Sequence, residues 1–189
     1  SRGLGDVYKR QMMRNVQLEL EAQRLKSLLY HYEKDSTQVA LVNRYLEDTY
    51  SVIPARVVNN SIVCTDNYLT IDKGEADSVY AEMGVVCGTG VVGIVYQASA
   101  HYAVVLSVLN SKSSISCKIK RTDYFGVLKW EGGSSQYAYL RDIPRHSEFS
   151  LGDTVVTSGH SAVFPEGIPV GTVDDIADSH DGVSYLLRV

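Results

Sequence analysis

Hydrophobic positions recur along this chain with two different periods, and the change from one to the other divides it. Residues 12–48 contain no glycine or proline, and Leu18, Ala22, Leu25, Leu29 and Tyr32 follow one another at alternating steps of four and three. That spacing keeps them on one stripe of a helix, so residues 12–48 are expected to be helical. Extending the register brings Ser36, Val39, Asn43 and Leu46 onto the stripe, which weakens without changing phase. Such a stripe serves either a parallel coiled coil between two chains or a single amphipathic helix lying on a neighbouring domain, and the sequence leaves both open.

Pro54 ends any helix, and beyond it the period falls to two. The clearest case is Ser114–Lys120, where Ile115, Cys117 and Ile119 alternate with Ser116, Lys118 and Lys120. Short β-branched or aromatic runs at residues 53–58, 68–72, 124–130, 136–140 and 183–189 are bounded by turn formers such as Asn59-Asn60-Ser61, Lys73-Gly74 and Gly132-Gly133. The nearly unbroken apolar run His101–Leu109 predicts a central strand, or one buried on both faces. Roughly ten short strands are expected after one helix, a mainly β chain.

The most organised stretch is Leu151–Val173, in which Val155-Val156 and Val170–Val173 flank Ser158-Gly159, Pro165, Gly167, Pro169 and Gly171. It reads as strand, wide turn, strand. A looser echo occupies Glu82–Val95, where Gly84-Val85-Val86, a Gly-Thr-Gly turn and Val91-Val92-Gly93-Ile94-Val95 repeat the order. Two such units predict two small β-barrel domains. The echo further suggests a first barrel from residues 53–79 plus 143–189, with 80–142 inserted as the second; two consecutive barrels are the alternative. Residues 1–11, SRGLGDVYKRQ, have no periodicity and are expected to be a non-native leader.

Charge and candidate chemistry narrow the function more than they define it. The net charge is -4 with Lys and Arg scattered, which argues against nucleic acid as a partner. No window of about 18 apolar residues occurs, so no bilayer-spanning helix is expected. Cys64, Cys87 and Cys117 are odd in number and far apart, and read as buried free thiols. Ser158 and His160, with Asp153 as third member, invite a hydrolase reading of the trypsin-like barrel type. A serine and a base two residues apart on one tight turn cannot readily form the nucleophile-base bond, so no catalytic residue is assigned. Asp174, Asp175, Asp178, His180 and Asp181 form an acidic cluster without the Gly and bidentate Glu of a calcium loop, and read as a solvated loop. Gly88-Thr89-Gly90 and Gly93 lack a following helix to receive a dinucleotide, and read as a hairpin turn. No metal or cofactor is expected. Thirteen tyrosines against three phenylalanines supply amphipathic aromatic surface suited to protein contacts.

Taken in order, the striped helix, Ile53-Pro54-Ala55-Arg56-Val57-Val58, Leu69-Thr70-Ile71-Asp72-Lys73-Gly74, Met83-Gly84-Val85-Val86 with Gly90-Val91-Val92-Gly93, Asp153–Gly159 and Phe164–Val173 resemble the rod shape-determining MreC family. The last block, with Ser158-Gly159, Phe164-Pro165-Glu166-Gly167 and Pro169-Val170-Gly171, is the most specific part. The resemblance implies a scaffold of the bacterial elongasome without catalytic activity, anchored in the inner membrane with its barrels in the periplasm. It also implies a membrane helix ahead of the coiled coil, which this sequence does not contain. Implied partners are a second copy, the penicillin-binding transpeptidase, MreD, MreB and the elongation glycosyltransferase. Gly74, Gly84, Gly93, Ser158, Gly159, Phe164, Pro165, Gly167, Pro169 and Gly171 would shape turns and core rather than bind a partner. The competing class is a periplasmic adaptor of an export system, which needs a second antiparallel helical arm.

Overall fold

The computed structural model describes residues 50–189. The leader over 1–11, the helix over 12–48 and its stripe of Leu18, Ala22, Leu25, Leu29 and Tyr32 lie outside the described residues. Within these, the chain is mainly β, with twelve strands in two sheets of five and seven. All pairings are antiparallel. Among the described residues no helix is long and apolar enough to cross a membrane.

The first sheet holds β1 (Val57–Asn60), β2 (Asp66–Ile71), β3 (Gly84–Cys87), β4 (Gly90–Ala98) and β5 (Ala103–Asn110) in the order β1-β2-β5-β4-β3. The second holds β6 (Ile115–Ile119), β7 (Phe125–Lys129), β8 (Tyr139–Pro144), β9 (Thr154–Thr157), β10 (Pro169–Thr172), β11 (Asp175–Asp178) and β12 (Ser184–Arg188) in the order β10-β9-β6-β7-β8-β12-β11. Each sheet therefore draws on one contiguous stretch of chain, residues 57–110 and 115–188, and no strand pairing joins residues 53–79 to 143–189. The reason is local: a strand has two edges, and those of β2 are taken by β1 and β5. Leu69 and Ile71 stand opposite Val105 and Ala103, and these four bury together with Val79 and Val95 as a core of their own.

Alternation in the sequence becomes burial in the sheet. Ile115, Cys117 and Ile119 of β6 are all buried, and join Leu128, Leu140, Ile143, Val155 and Leu187 from the neighbouring strands. Full burial of such a side chain is worth about 1.5–3 kcal/mol, set against the entropy of ordering it. The stretch 174–181 departs from the expectation of a solvated loop. Asp175–Asp178 is an edge strand, exposed at every position and in register with β12 from Asp175 opposite Arg188 to Asp178 opposite Tyr185. Two aspartates on an edge keep it soluble and discourage further pairing.

A bulge in β4 joins the two cores. Val86 pairs with Val91 and Val85 with Gly93, so Val92 is an extra residue on β4. The slip sends Val91 and Ile94 to one face and Val92 and Val95 to the other. Val86, Val91, Ile94 and Val108 pack on the second sheet's core, while Val85 and Val92 pack on the first. At Gly93 any Cβ would press on the carbonyl oxygen of Leu106 on the adjacent strand, so the residue must be glycine for β4 and β5 to close.

Candidate interaction surface

The Leu151–Val173 stretch folds as β9, an eleven-residue turn over 158–168, and β10. Its organiser is Thr157, a residue that the sequence pattern does not single out. The buried hydroxyl donates to the carbonyl of Pro165 at 2.6 Å and accepts the N–H of Ile168 at 2.9 Å. The Thr157 carbonyl accepts from Gly167, and its N–H donates to Ile168, so one residue holds the turn from inside the strand. Gly167 takes a φ of 93°, in the left-handed region that glycine occupies without strain. Phe164 is buried in the second core, and its ring lies against Gly84 at the start of β3. Pro169 and Gly171 sit in β10, Pro169 approaching Gly90 and Gly171 approaching Val189. Gly74 is buried and accepts the N–H groups of Asp77 and Val79 through its carbonyl.

Ser158, His160 and Asp153 are not assembled as a triad. The Ser158 hydroxyl lies 2.7 Å from that of Ser116 and accepts the backbone N–H of His160. The His160 ring packs instead on Phe125, with centroids 4.5 Å apart. The carboxylate of Asp153 accepts the backbone N–H of Ser150 at 2.8 Å, which caps a local turn. Beside them, Lys118 pairs with Glu166 and holds its carboxyl below the usual range.

The acidic cluster is spent on structure. Asp174 accepts from Arg188 at 2.6 Å and Asp178 pairs with Arg145 at 3.1 Å. Asp181 accepts the N–H groups of Val183 and Ser184 and the Ser184 hydroxyl, and the Val183 bond leads in holding its carboxyl low. Among the described residues no three His, Cys, Asp or Glu side chains converge as metal ligands. Of the cysteines, Cys117 is buried as expected, and burial pushes its thiol up to about 12. Cys64 and Cys87 correct the expectation: both are exposed, because one lies on the β1–β2 loop and the other at the end of β3 beside the hairpin turn.

What remains open is part of the first sheet's outer face. One end of that face is covered by the second sheet through Val86, Val91, Ile94 and Val108. At the other end, Tyr68, Val104 and Leu106 are only half-buried and Tyr96 is 62% exposed. The Tyr68 and Tyr96 rings meet at 5.8 Å, and the Tyr68 carbonyl accepts the N–H of Ser61. That bond brings in the β1–β2 loop, where Ile62 is 41% and Val63 90% exposed.

The loop is held by Asn67, wholly buried at the start of β2. Its amide oxygen accepts the Ser61 hydroxyl and the Cys64 N–H, each at 3.0 Å. Its amide nitrogen donates to the carbonyls of Cys64 at 2.7 Å and Leu109 at 2.6 Å. Asn110, also fully buried, donates to the Asn67 carbonyl and accepts the N–H of Lys112. Every polar atom of the Asn67 amide is thus satisfied, and the β1–β2 loop is pinned to the end of β5. In the sequence Asn67 sits in Asp66-Asn67 and reads only as a turn former.

A family model described as "Rod shape-determining protein MreC, barrel core" matches residues 57–189. The chain belongs to the MreC family. Among curated relatives, the cell shape-determining protein MreC of Listeria monocytogenes is 28% identical over 172 residues, covering 89% of this chain and 57% of that protein. The chain spans about half the length of the curated relatives it matches. A solved MreC from the same species superposes with a TM-score of 0.61 at 26% identity, over 93% of this chain and 87% of that one. Two further structures share the fold. One is the major periplasmic domain of the cell shape-determining filament MreC, with a TM-score of 0.60 and 24% identity over 71% of this chain and 83% of that one. The other is MreC of Helicobacter pylori in complex with a penicillin-binding protein, with a TM-score of 0.55 and 20% identity over 68% of this chain and 78% of that one.

Proposed function

We propose that this chain is part of a non-enzymatic scaffold that maintains rod cell shape by organising lateral peptidoglycan synthesis. The observation that carries the reading is the match of the MreC barrel core across residues 57–189, which spans both sheets. On this reading the barrels stand on the periplasmic side of the bacterial inner membrane, held there by an anchor belonging to the longer protein. Their direct partner is a penicillin-binding protein, as in the solved relative. MreD, MreB and the elongation glycosyltransferase complete the assembly, and the stripe Leu18, Ala22, Leu25, Leu29 and Tyr32 joins copies of the chain.

A scaffold of this kind needs rigid surface rather than reactive groups. The fold supplies it through two fused cores, a clamped turn at Thr157 and a clamped loop at Asn67. A standard interface of about 800 Å² per partner fits on such a face. The test is capture by the purified chain of the penicillin-binding protein from envelope extract of a rod-shaped bacterium. Recovery of that protein above a bead control is expected; its absence, with the chain folded and abundant, would contradict the reading.

A further inference from the structure

The run Val57–Thr65 holds no charged residue, and Val57, Val58, Ile62 and Val63 within it are all exposed. An exposed apolar loop is ordinarily mobile, since nothing rewards its order. Here the Asn67 amide fixes both ends of the segment from Ser61 to Cys64, so Val63 is displayed on a rigid support. Ordering the tip beforehand removes part of the entropy cost of binding. The Tyr68 carbonyl accepts the N–H of Ser61 at the loop's start and the Tyr68 ring meets that of Tyr96, which places the loop beside this tyrosine pair.

We propose that the strip Ile62, Val63, Tyr68 and Tyr96 is the docking surface for the penicillin-binding partner, with Asn67 as the positioning residue for its tip. The inference rests on the scaffold reading above and names the face that reading leaves unassigned. Three observations choose this occupant. The strip continues the apolar face whose other end is already covered by the second sheet, so a partner seated there extends an existing junction and needs an apolar rather than a charged surface. A second copy pairing through the adjacent edge is disfavoured: β1 is four residues long, and its register breaks at Val58 between Val57 and Asn59. A relative of the same fold has been solved with a penicillin-binding protein, so a partner of that class exists for such barrels.

The experiment measures binding of the purified chain to the purified periplasmic portion of the penicillin-binding protein from the same bacterium, with sedimentation of the same samples. The test variant is Val63→Asp with Tyr96→Glu; the control is Leu151→Asp with Val183→Asp, also exposed positions, flanking strands of the second sheet. All four side chains are exposed, so both variants should melt like the unchanged chain. Loss of about tenfold or more in affinity for the test variant alone is expected. Equal binding by test variant and unchanged chain would overturn the strip while leaving the scaffold reading intact. Unchanged binding with an altered sedimentation state would assign the strip to a second copy and also overturn it. If the unchanged chain and the control both failed to bind, the scaffold reading would fall and this inference with it.

Discussion

Thr157 and Gly93 decide local geometry through atoms rather than through propensity. Replacing Thr157 by Val keeps the β-branched shape but leaves the Ile168 N–H and the Pro165 carbonyl without the hydroxyl they share. We expect Thr157→Val to lose about 1–3 kcal/mol in urea denaturation, the cost of orphaning buried polar groups. Gly93→Val sets a side chain against the Leu106 carbonyl and should lower the melting temperature more than Val92→Ala on the same strand. The thiols separate by exposure. Under native conditions a thiol reagent should label Cys64 and Cys87, and should reach Cys117 only on denaturation, because its buried thiol is held far from ionisation. Rapid labelling of Cys117 in the folded chain would contradict the core described here.

At the scale of elements, the strands were legible where one face is buried and illegible where none is. The alternation of Ile115, Cys117 and Ile119 yields β6 within a residue at each end, and the valine pairs around Gly88-Thr89 yield the β3–β4 hairpin. β11 escapes because Asp-Ile-Ala-Asp is exposed throughout and leaves no periodic trace; its place is fixed by backbone pairing to β12. The echo of Val-Gly repeats does not fix strand pairing, for a related reason. Val-Gly repeats report hairpin chemistry, which β3–β4 and β9–β10 do share, but not which sheet a hairpin joins. The clamps at Asn67 and Thr157 leave no sequence signal, since each residue type is ordinary for a turn or a strand.

The β11–β12 turn carries its own pH dependence. The N–H of Val183 and then the Ser184 hydroxyl hold the Asp181 carboxyl below its unfolded value. A lowered carboxyl contributes stability that is present above the unfolded value and lost as pH falls through the folded one. The stability gap between the unchanged chain and Asp181→Asn, read from urea midpoints, should therefore be present at neutral pH and close on acidification through that range. A gap that widened in acid would contradict the turn geometry.

For the molecule as a whole, assembly and partner capture are separate properties. The four-three stripe predicts that Leu25→Asp with Leu29→Asp converts a dimer to a monomer in analytical ultracentrifugation while the β signal in circular dichroism is kept. An unchanged chain that sediments as a monomer at high concentration would make the stripe a packing face instead. Neither result bears on the barrels, whose proposed role depends on shape and exposed apolar surface.

The central claim, that the protein works by holding partners together rather than by chemistry, is tested most directly by complementation. A rod-shaped bacterium lacking its own copy would receive this chain joined to a membrane anchor, unchanged or carrying Ser158→Ala, His160→Ala, or Val63→Asp with Tyr96→Glu. Rod shape should be restored by the unchanged chain and by both single variants, and lost with the double variant. Round cells from Ser158→Ala or His160→Ala, with the protein folded, abundant and still bound to its partners, would contradict the scaffold account and place an active site at the β9–β10 turn.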